Sequence, residues 1–201
     1  MKITKIINSL LALGTLLMLL TACQNFKKTQ LVLFESLSFG MPEKSFQEVF
    51  GEASEVVEET EMAYRDAWRA EDPYFYKTGR LFYDYENITL NGYTGRARFT
   101  FSKSHRLEKA TVHIPVASKG EQQVVLNNLS QTIKKEIEAL PNFQSVTTET
   151  VGLYDNGYRY KVKLKGQRKE LRVDVYPTED EDAKEIEAKK YTIRVDQFRM
   201  Y

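Results

Sequence analysis

The chain has 201 residues, with 29 Lys and Arg against 28 Asp and Glu and only two histidines. Near-neutral charge with both signs interspersed along every segment lacks the clustered basic face of a nucleic-acid binder, so no nucleic-acid partner is expected. The one cysteine excludes an internal disulfide framework or a thiolate metal cluster, leaving stability to the packing of a core that a chain of this length can build in one domain or two small ones.

The chain opens with Lys2 and Lys5 and then a 15-residue apolar stretch, residues 6–20. A spanning helix needs about 20 apolar residues, whereas a positive start, an apolar middle of roughly 7 to 15 residues and small residues at the exit make an export signal. At that exit stands Leu20-Thr21-Ala22-Cys23, which resembles the lipobox of bacterial lipoproteins. The resemblance implies that Leu20, Thr21 and Ala22 are read by signal peptidase II, that the Cys23 thiol takes a diacylglycerol as a thioether, and that Cys23 becomes the first mature residue. The residue types suit that chemistry, because a thiolate is the nucleophile and small side chains let a peptidase approach the backbone. The plainer readings are an ordinary export signal with a chance cysteine, or a free thiol in a buried helix. On the lipobox reading residues 1–22 are removed and the protein is tethered to a cell membrane outside the cytoplasm. Each buried acyl methylene contributes about 0.8 kcal/mol, and two or more chains anchor stably. Removal of Lys2 and Lys5 leaves one acid in excess. Residues 23–36 are read as lipidated cysteine and linker, of which the polar stretch 24–30 extends roughly 20 Å at about 3.3 Å per residue.

A first unit is expected over residues 37–117. Pro42 pre-sets a short helix, Phe46, Val49 and Phe50 share a face, and Gly51 ends it. Residues 55–72 show no clear period, being helical or irregular, and Pro73 closes them. From Arg80 the period becomes two: "RLFYDYENITL", the strong hairpin signal Asn91-Gly92, "YTGRARFTFS", a turn at 104–106, and "LEKATVHIPV". These strands form an antiparallel meander.

A second unit is expected over residues 118–201. Ser118 and Glu121 make a capping box, and Val125, Leu129, Ile133, Ile137 and Leu140 form the stripe of a long helix stopped by Pro141. Strands follow in "QSVTTETVGLY", "YRYKVKLK" and "ELRVDVYP", with turns at 155–157 and Gly166. Residues 178–190 read as a short exposed helix, and "YTIRVDQFRMY" as a closing strand. The fold class is therefore α+β: two helix-then-antiparallel-meander units, the order a tandem duplication gives, behind a cleaved signal peptide.

"GMPEKSFQEVFGEA" resembles the opening motif of the SmpA/OmlA family of small envelope lipoproteins, with Gly40, Met41, Phe46, Phe50 and Gly51 in the family's places. Pro42 departs from the family's small hydroxyl residue and Ala53 from its proline. "RARFTFSKSHRLEKATV" is similar to the strand-turn-strand segment that follows in that family. A tandem version of such a unit occurs in secreted β-lactamase inhibitor proteins, and the likeness implies a concave sheet that binds a protein.

Chemistry-bearing residues are few. His105 lies in a turn and His113 alternates with Val112 and Ile114, and no spacing offers either a catalytic partner. The acids at 179–182 could take calcium, but they lack the alternating loop of a calcium site and complement a helix dipole together with Lys189 and Lys190. No metal or other cofactor is expected. The aromatic run Trp68, Tyr74, Phe75, Tyr76, Phe82, Tyr83 and Tyr85, with Trp68, Tyr74 and Tyr76 as a candidate binding surface, divides between cross-strand core pairs and interface anchors or a ligand platform.

Phosphate loops, nucleophile elbows and metalloprotease motifs are missing from the sequence. The first reading is therefore a non-enzymatic, membrane-tethered envelope lipoprotein that binds a protein partner through a sheet surface. The second is a lipid-anchored module for a small ligand or glycan. A flat or concave apolar sheet face would mark the first and a deep aromatic-lined pocket the second; buried acids converging on a histidine would revive an enzyme.

Overall fold

The computed structural model describes residues 29–64, 73–151, 156–179 and 191–200. Residues 20–23, Trp68 and the stretch 180–190 lie outside them. Two short strands, β1 (Gln30–Leu31) and β2 (Phe34–Ser38), pair with each other ahead of α1 (Glu43–Phe50). There follow β3 (Glu55–Tyr64), β4 (Pro73–Leu90), β5 (Tyr93–Phe101) and β6 (Leu107–Val116). Helix α2 (Lys119–Glu138) leads into β7 (Phe143–Val151), β8 (Gly157–Leu164), β9 (Leu171–Glu179) and β10 (Tyr191–Arg199). The described residues are thus mostly antiparallel sheet with two helices. All eight longer strands form one sheet in the order β3-β4-β5-β6-β10-β9-β8-β7. The two meanders meet through their last strands, with Val112 opposite Val195.

Local signals account for the turns and caps. Asn91 and Gly92 both take positive φ, 50° and 82°, as the favoured two-residue hairpin turn requires. The Ser118 Oγ accepts from the Glu121 N–H at 3.2 Å, and the Glu121 carboxylate reaches back to accept from the Ala117 N–H at 2.6 Å. The whole expected stripe of α2 is buried, from Val125 to Leu140. In α1, Phe46 is fully buried and Phe50 packs against the core, but Val49 is 51 % exposed. A two-turn helix with a pair at i and i+4 turns the residue between them aside. Pro42 stands at the N-cap, one place before the first helical turn, and makes no side-chain cap.

Several boundaries differ from the sequence reading. The linker expected to 36 ends sooner, because Leu31, Val32, Phe34, Leu37 and Phe39 are buried and burying such a cluster favours order over a free tether. Residues 55–64 form a strand despite their Glu-rich, aperiodic pattern. β3 is a sheet edge, where charge is tolerated and blunts unwanted pairing. β4 begins at Pro73, not Arg80, since proline is accepted as a strand's first residue. Thr178 and Glu179, expected to open a helix, end β9 opposite Thr192 and Tyr191.

One face of the sheet carries the core. The row Tyr83, Phe99, Ala110, Gln197, Val173 and Tyr160 crosses six strands, and all of these residues are buried. Gln197 is admitted to this row because its Oε1 accepts the Val32 N–H at 2.8 Å, which fastens the β1–β2 pair over the sheet.

Candidate binding face

Strand alternation sends every second side chain away from the helices, and the register aligns these side chains in rows. One row takes a residue from each of the eight strands: Glu55, Asp84, Arg98, Thr111, Asp196, Asp174, Arg159 and Glu149. The adjacent row holds Val57, Phe82, Thr100, Lys109, Phe198, Arg172, Lys161 and Thr147. On the other side, Arg96, His113, Arg194 and Tyr176 form a row across the four central strands. The acids lie mainly in the middle row, with cations on both sides. A trough of about 920 Å³ runs over this face, lined among others by Phe82, Asp84, Arg98, Lys109, His113 and Arg194.

Asp196 and Asp174 stand directly opposite each other, a like-charged pairing that destabilises a sheet unless countered. Each is countered twice. Asp196 accepts from the Thr111 hydroxyl at 2.6 Å, the Tyr176 hydroxyl at 2.9 Å and the Arg194 Nε at 3.1 Å, and it pairs with Lys109 Nζ at 3.0 Å. Burial alone would raise its pKa, yet the Thr111 hydrogen bond and the Lys109 and Arg194 charges hold it below the usual carboxylate value. The Tyr176 hydroxyl is pushed up to about 12 by burial and by the Asp196 charge. Asp174 is bracketed by Arg159, with bonds of 3.0 and 3.2 Å, and by Arg172 Nε at 2.9 Å. Farther along, Arg98 grips Asp84 with two bonds of 2.7 Å. Guanidinium groups also lie over rings: Arg172 is 4.9 Å from the centre of Phe198, and Arg98 is 5.2 Å from that of Phe82.

These contacts hold charged side chains in fixed positions. The lowered pKa of Asp196 and the raised one of the Tyr176 hydroxyl keep the first ionised and the second protonated, and for the phenol that is opposite to the shift a nucleophile needs. Such a face can present preset donors and acceptors to another surface. It is polar, not the apolar face or aromatic-lined pocket expected of a binding site, and the desolvation of its buried acids Asp174 and Asp196 is offset by the cations and hydroxyl donors that meet them.

The aromatic candidates separate. Tyr83 and Tyr85 are core residues, 3 % and 5 % exposed. Tyr76 is 39 % exposed and donates its hydroxyl to Glu61 at 2.5 Å. Tyr74 is in β4, its side chain outside what is described, as is all of Trp68.

His105 does have an acidic partner, which no local spacing disclosed. Its Nδ1 meets one oxygen of Glu43, 62 residues away, while the Tyr83 hydroxyl donates to the other. Burial, followed by the hydrogen bond and charge of Glu43, pushes Tyr83 up to about 12. The cluster ties the start of α1 to the β5–β6 turn, and the Glu43 N–H donates to the His105 carbonyl at 3.0 Å in the same place. His113 lies on the open face, as alternation implied.

Among the described residues no group of three or more His, Cys, Asp or Glu side chains could hold a metal ion. No described helix is long and apolar enough to cross a membrane. No family model matches the chain, and neither a known protein nor a solved structure matches it.

Proposed function

We propose that this protein is a non-catalytic bacterial cell-envelope lipoprotein, tethered outside the cytoplasm by lipid on Cys23, that binds a protein partner across the open face of its sheet. The observation carrying this reading is the asymmetry of the sheet. One face is sealed by α1, α2 and the β1–β2 pair, whereas the other presents three ordered polar rows and a trough of about 920 Å³. Ion-paired arginines with aromatic backing are low-entropy contact groups suited to an interface. The near balance of charge favours a partner surface that is itself mixed in sign over a polyanion. Each helix-plus-meander unit contributes half of the face, and we read the repeated order as a tandem duplication that doubled its width. The burial of Tyr83 and Tyr85 weighs against the ligand or glycan alternative, since aromatics spent on the core are not available as a platform.

A photo-crosslinking residue placed in cells at Phe82, on the open face, should trap one envelope protein. The same residue at Val124, 58 % exposed on α2, should not. Equal trapping from both positions, or none from Phe82 in folded protein, would overturn the partner reading. For the tether, Cys23→Ala should fold normally and take up no lipid label, and unprocessed, unlabelled wild-type protein from the native host would refute it.

A further inference from the structure

Strand direction collects the basic turns of this molecule at one end. The β5–β6 turn carries Lys103 and Arg106, and the β8–β9 turn carries Lys165, Arg168 and Lys169, all exposed. Arg199 stands at the end of β10, and the Met200 N–H donates to the Glu170 carbonyl at 2.9 Å, joining that end to the second turn. Among the described residues, Lys103, Arg106, Lys165 and Arg168 have no carboxylate partner. The nearby acids are engaged: Glu43 with His105 and Tyr83, Glu108 with Arg80, and Glu170 with Lys163. The last turns of α2 add Lys134 and Lys135 against Glu136 and Glu138, with no net charge.

The described chain also begins at this end. The Thr29 carbonyl accepts the Phe39 N–H at 2.9 Å, and the next residue, Gly40, donates to the Leu107 carbonyl at 2.8 Å, where β6 starts. Upstream of Thr29 the sequence reads Lys27-Lys28, and Cys23 is six residues away, a reach of roughly 20 Å at most. At the opposite end β9 stops and β10 starts, and the sequence joining them holds Asp180, Glu181, Asp182, Glu185 and Glu187 against Lys184, Lys189 and Lys190. The β3–β4 hairpin continues past the basic end. Its acids Glu58, Glu59 and Glu61 are bonded to Lys77, Thr78 and Tyr76.

We propose that the basic end of the sheet, centred on Lys103, Arg106, Lys165 and Arg168, docks on an anionic phospholipid surface, so that the strands stand up from the bilayer and the binding face looks sideways. This rests on the tether reading for the nearness of the bilayer, while the charge distribution is independent of it. Each Lys or Arg near an anionic leaflet raises partitioning roughly fivefold, and four acting together orient a body that lipid alone would leave free to swivel.

The test uses the full processed chain, whose one cysteine is acylated, so that an added cysteine is a unique labelling site. Ser104→Cys at the basic end and Asn156→Cys at the far end carry a fluorophore that transfers energy to a lipid-borne acceptor. On vesicles containing roughly a third phosphatidylglycerol in phosphatidylcholine, transfer from position 104 should far exceed that from 156. The excess should shrink on phosphatidylcholine alone and at about 1 M salt, where the Debye length is about 3 Å. Combining Lys103→Glu, Arg106→Glu, Lys165→Glu and Arg168→Glu should abolish the phosphatidylglycerol-dependent part. Transfer from 104 that ignores both phosphatidylglycerol and salt, or equal transfer from both labels, would overturn the proposal even if the quadruple variant failed to fold. Failure of the tether is read separately, from the mass of the N-terminal peptide and the loss of co-flotation with phosphatidylcholine vesicles. Should it fail, Cys23 stays a free thiol, and the two-label comparison is made instead in a Cys23→Ser background bound to phosphatidylglycerol vesicles.

Discussion

The two units share an order of elements and differ in how they fill the space beneath the helix. In the first, an eight-residue helix covers its half of the sheet with rings: Phe46 lies 4.9 Å from Phe99 and 5.1 Å from Phe101, Phe50 lies 4.8 Å from Tyr85, and Phe34 from β2 closes over Phe50 and Phe99. In the second, a 20-residue helix lays Leu129, Ile133 and Ile137 over the aliphatic residues Val162, Val173, Val175 and Val195. A short helix offers few contact positions, so each must be large, and a strand pair supplies the remaining cover. A long helix can spread the same burial over many branched side chains. The first unit should therefore depend more heavily on single residues.

The largest expected effect follows from that dependence. Phe46→Ala should cost about 4 kcal/mol and Ile133→Ala about 3 kcal/mol in denaturant unfolding. A larger loss for Ile133→Ala would break the comparison. Next is the open face, where the second unit keeps its buried acids. Asp196→Asn leaves Lys109 and Arg194 without their carboxylate and should cost about 3 kcal/mol near neutral pH. Because the folded pKa of Asp196 is depressed, its stabilisation is present above the unfolded carboxylate value, about 3.9, and is lost as pH falls through the lower folded value. The gap in melting temperature between wild type and Asp196→Asn should accordingly hold from pH 5 to 7 and narrow below about pH 4. A gap that stayed constant into acid would remove the assigned role.

The helix ends sharpen the contrast on a smaller scale. Ser118→Ala removes the α2 cap and should cost about 1 kcal/mol by thermal unfolding, whereas Pro42 offers α1 no side-chain cap to lose. The smallest change is expected at the exposed Val49, where Val49→Ala should stay within about 0.5 kcal/mol of wild type. A large loss there would mean that the outer side of α1 meets something beyond the described contacts.

What could be read from the sequence was what short stretches decide for themselves. The Asn91-Gly92 turn, the Ser118 cap, the stripe from Val125 to Leu140 and the alternation of β5, β6, β8 and β10 each need only neighbours within a few residues, and the structure contains them. Alternation also sent His113 to the side opposite Val112 and Ile114. The polar face of the sheet was harder to foresee, because an Arg or Asp at an alternate position looks like ordinary solvent-exposed charge until the register joins it to others. Thr111, Asp196, Asp174 and Arg159 become one row only when β6, β10, β9 and β8 are laid side by side.

Tertiary structure alone decided the features that depend on distant partners. β3 is a strand because β4 pairs with it, and its own Glu-rich sequence carries no such period. The closing strand β10 occupies the middle of the sheet, where it bridges the two meanders and buries Gln197 against the Val32 backbone. Glu43 and His105 meet across 62 residues. The division follows from free energy. Turns, caps and periodic faces are selected by local sterics and hydrogen bonding, whereas strand order and long-range ion pairs are selected by burial and pairing once the chain has closed its loops.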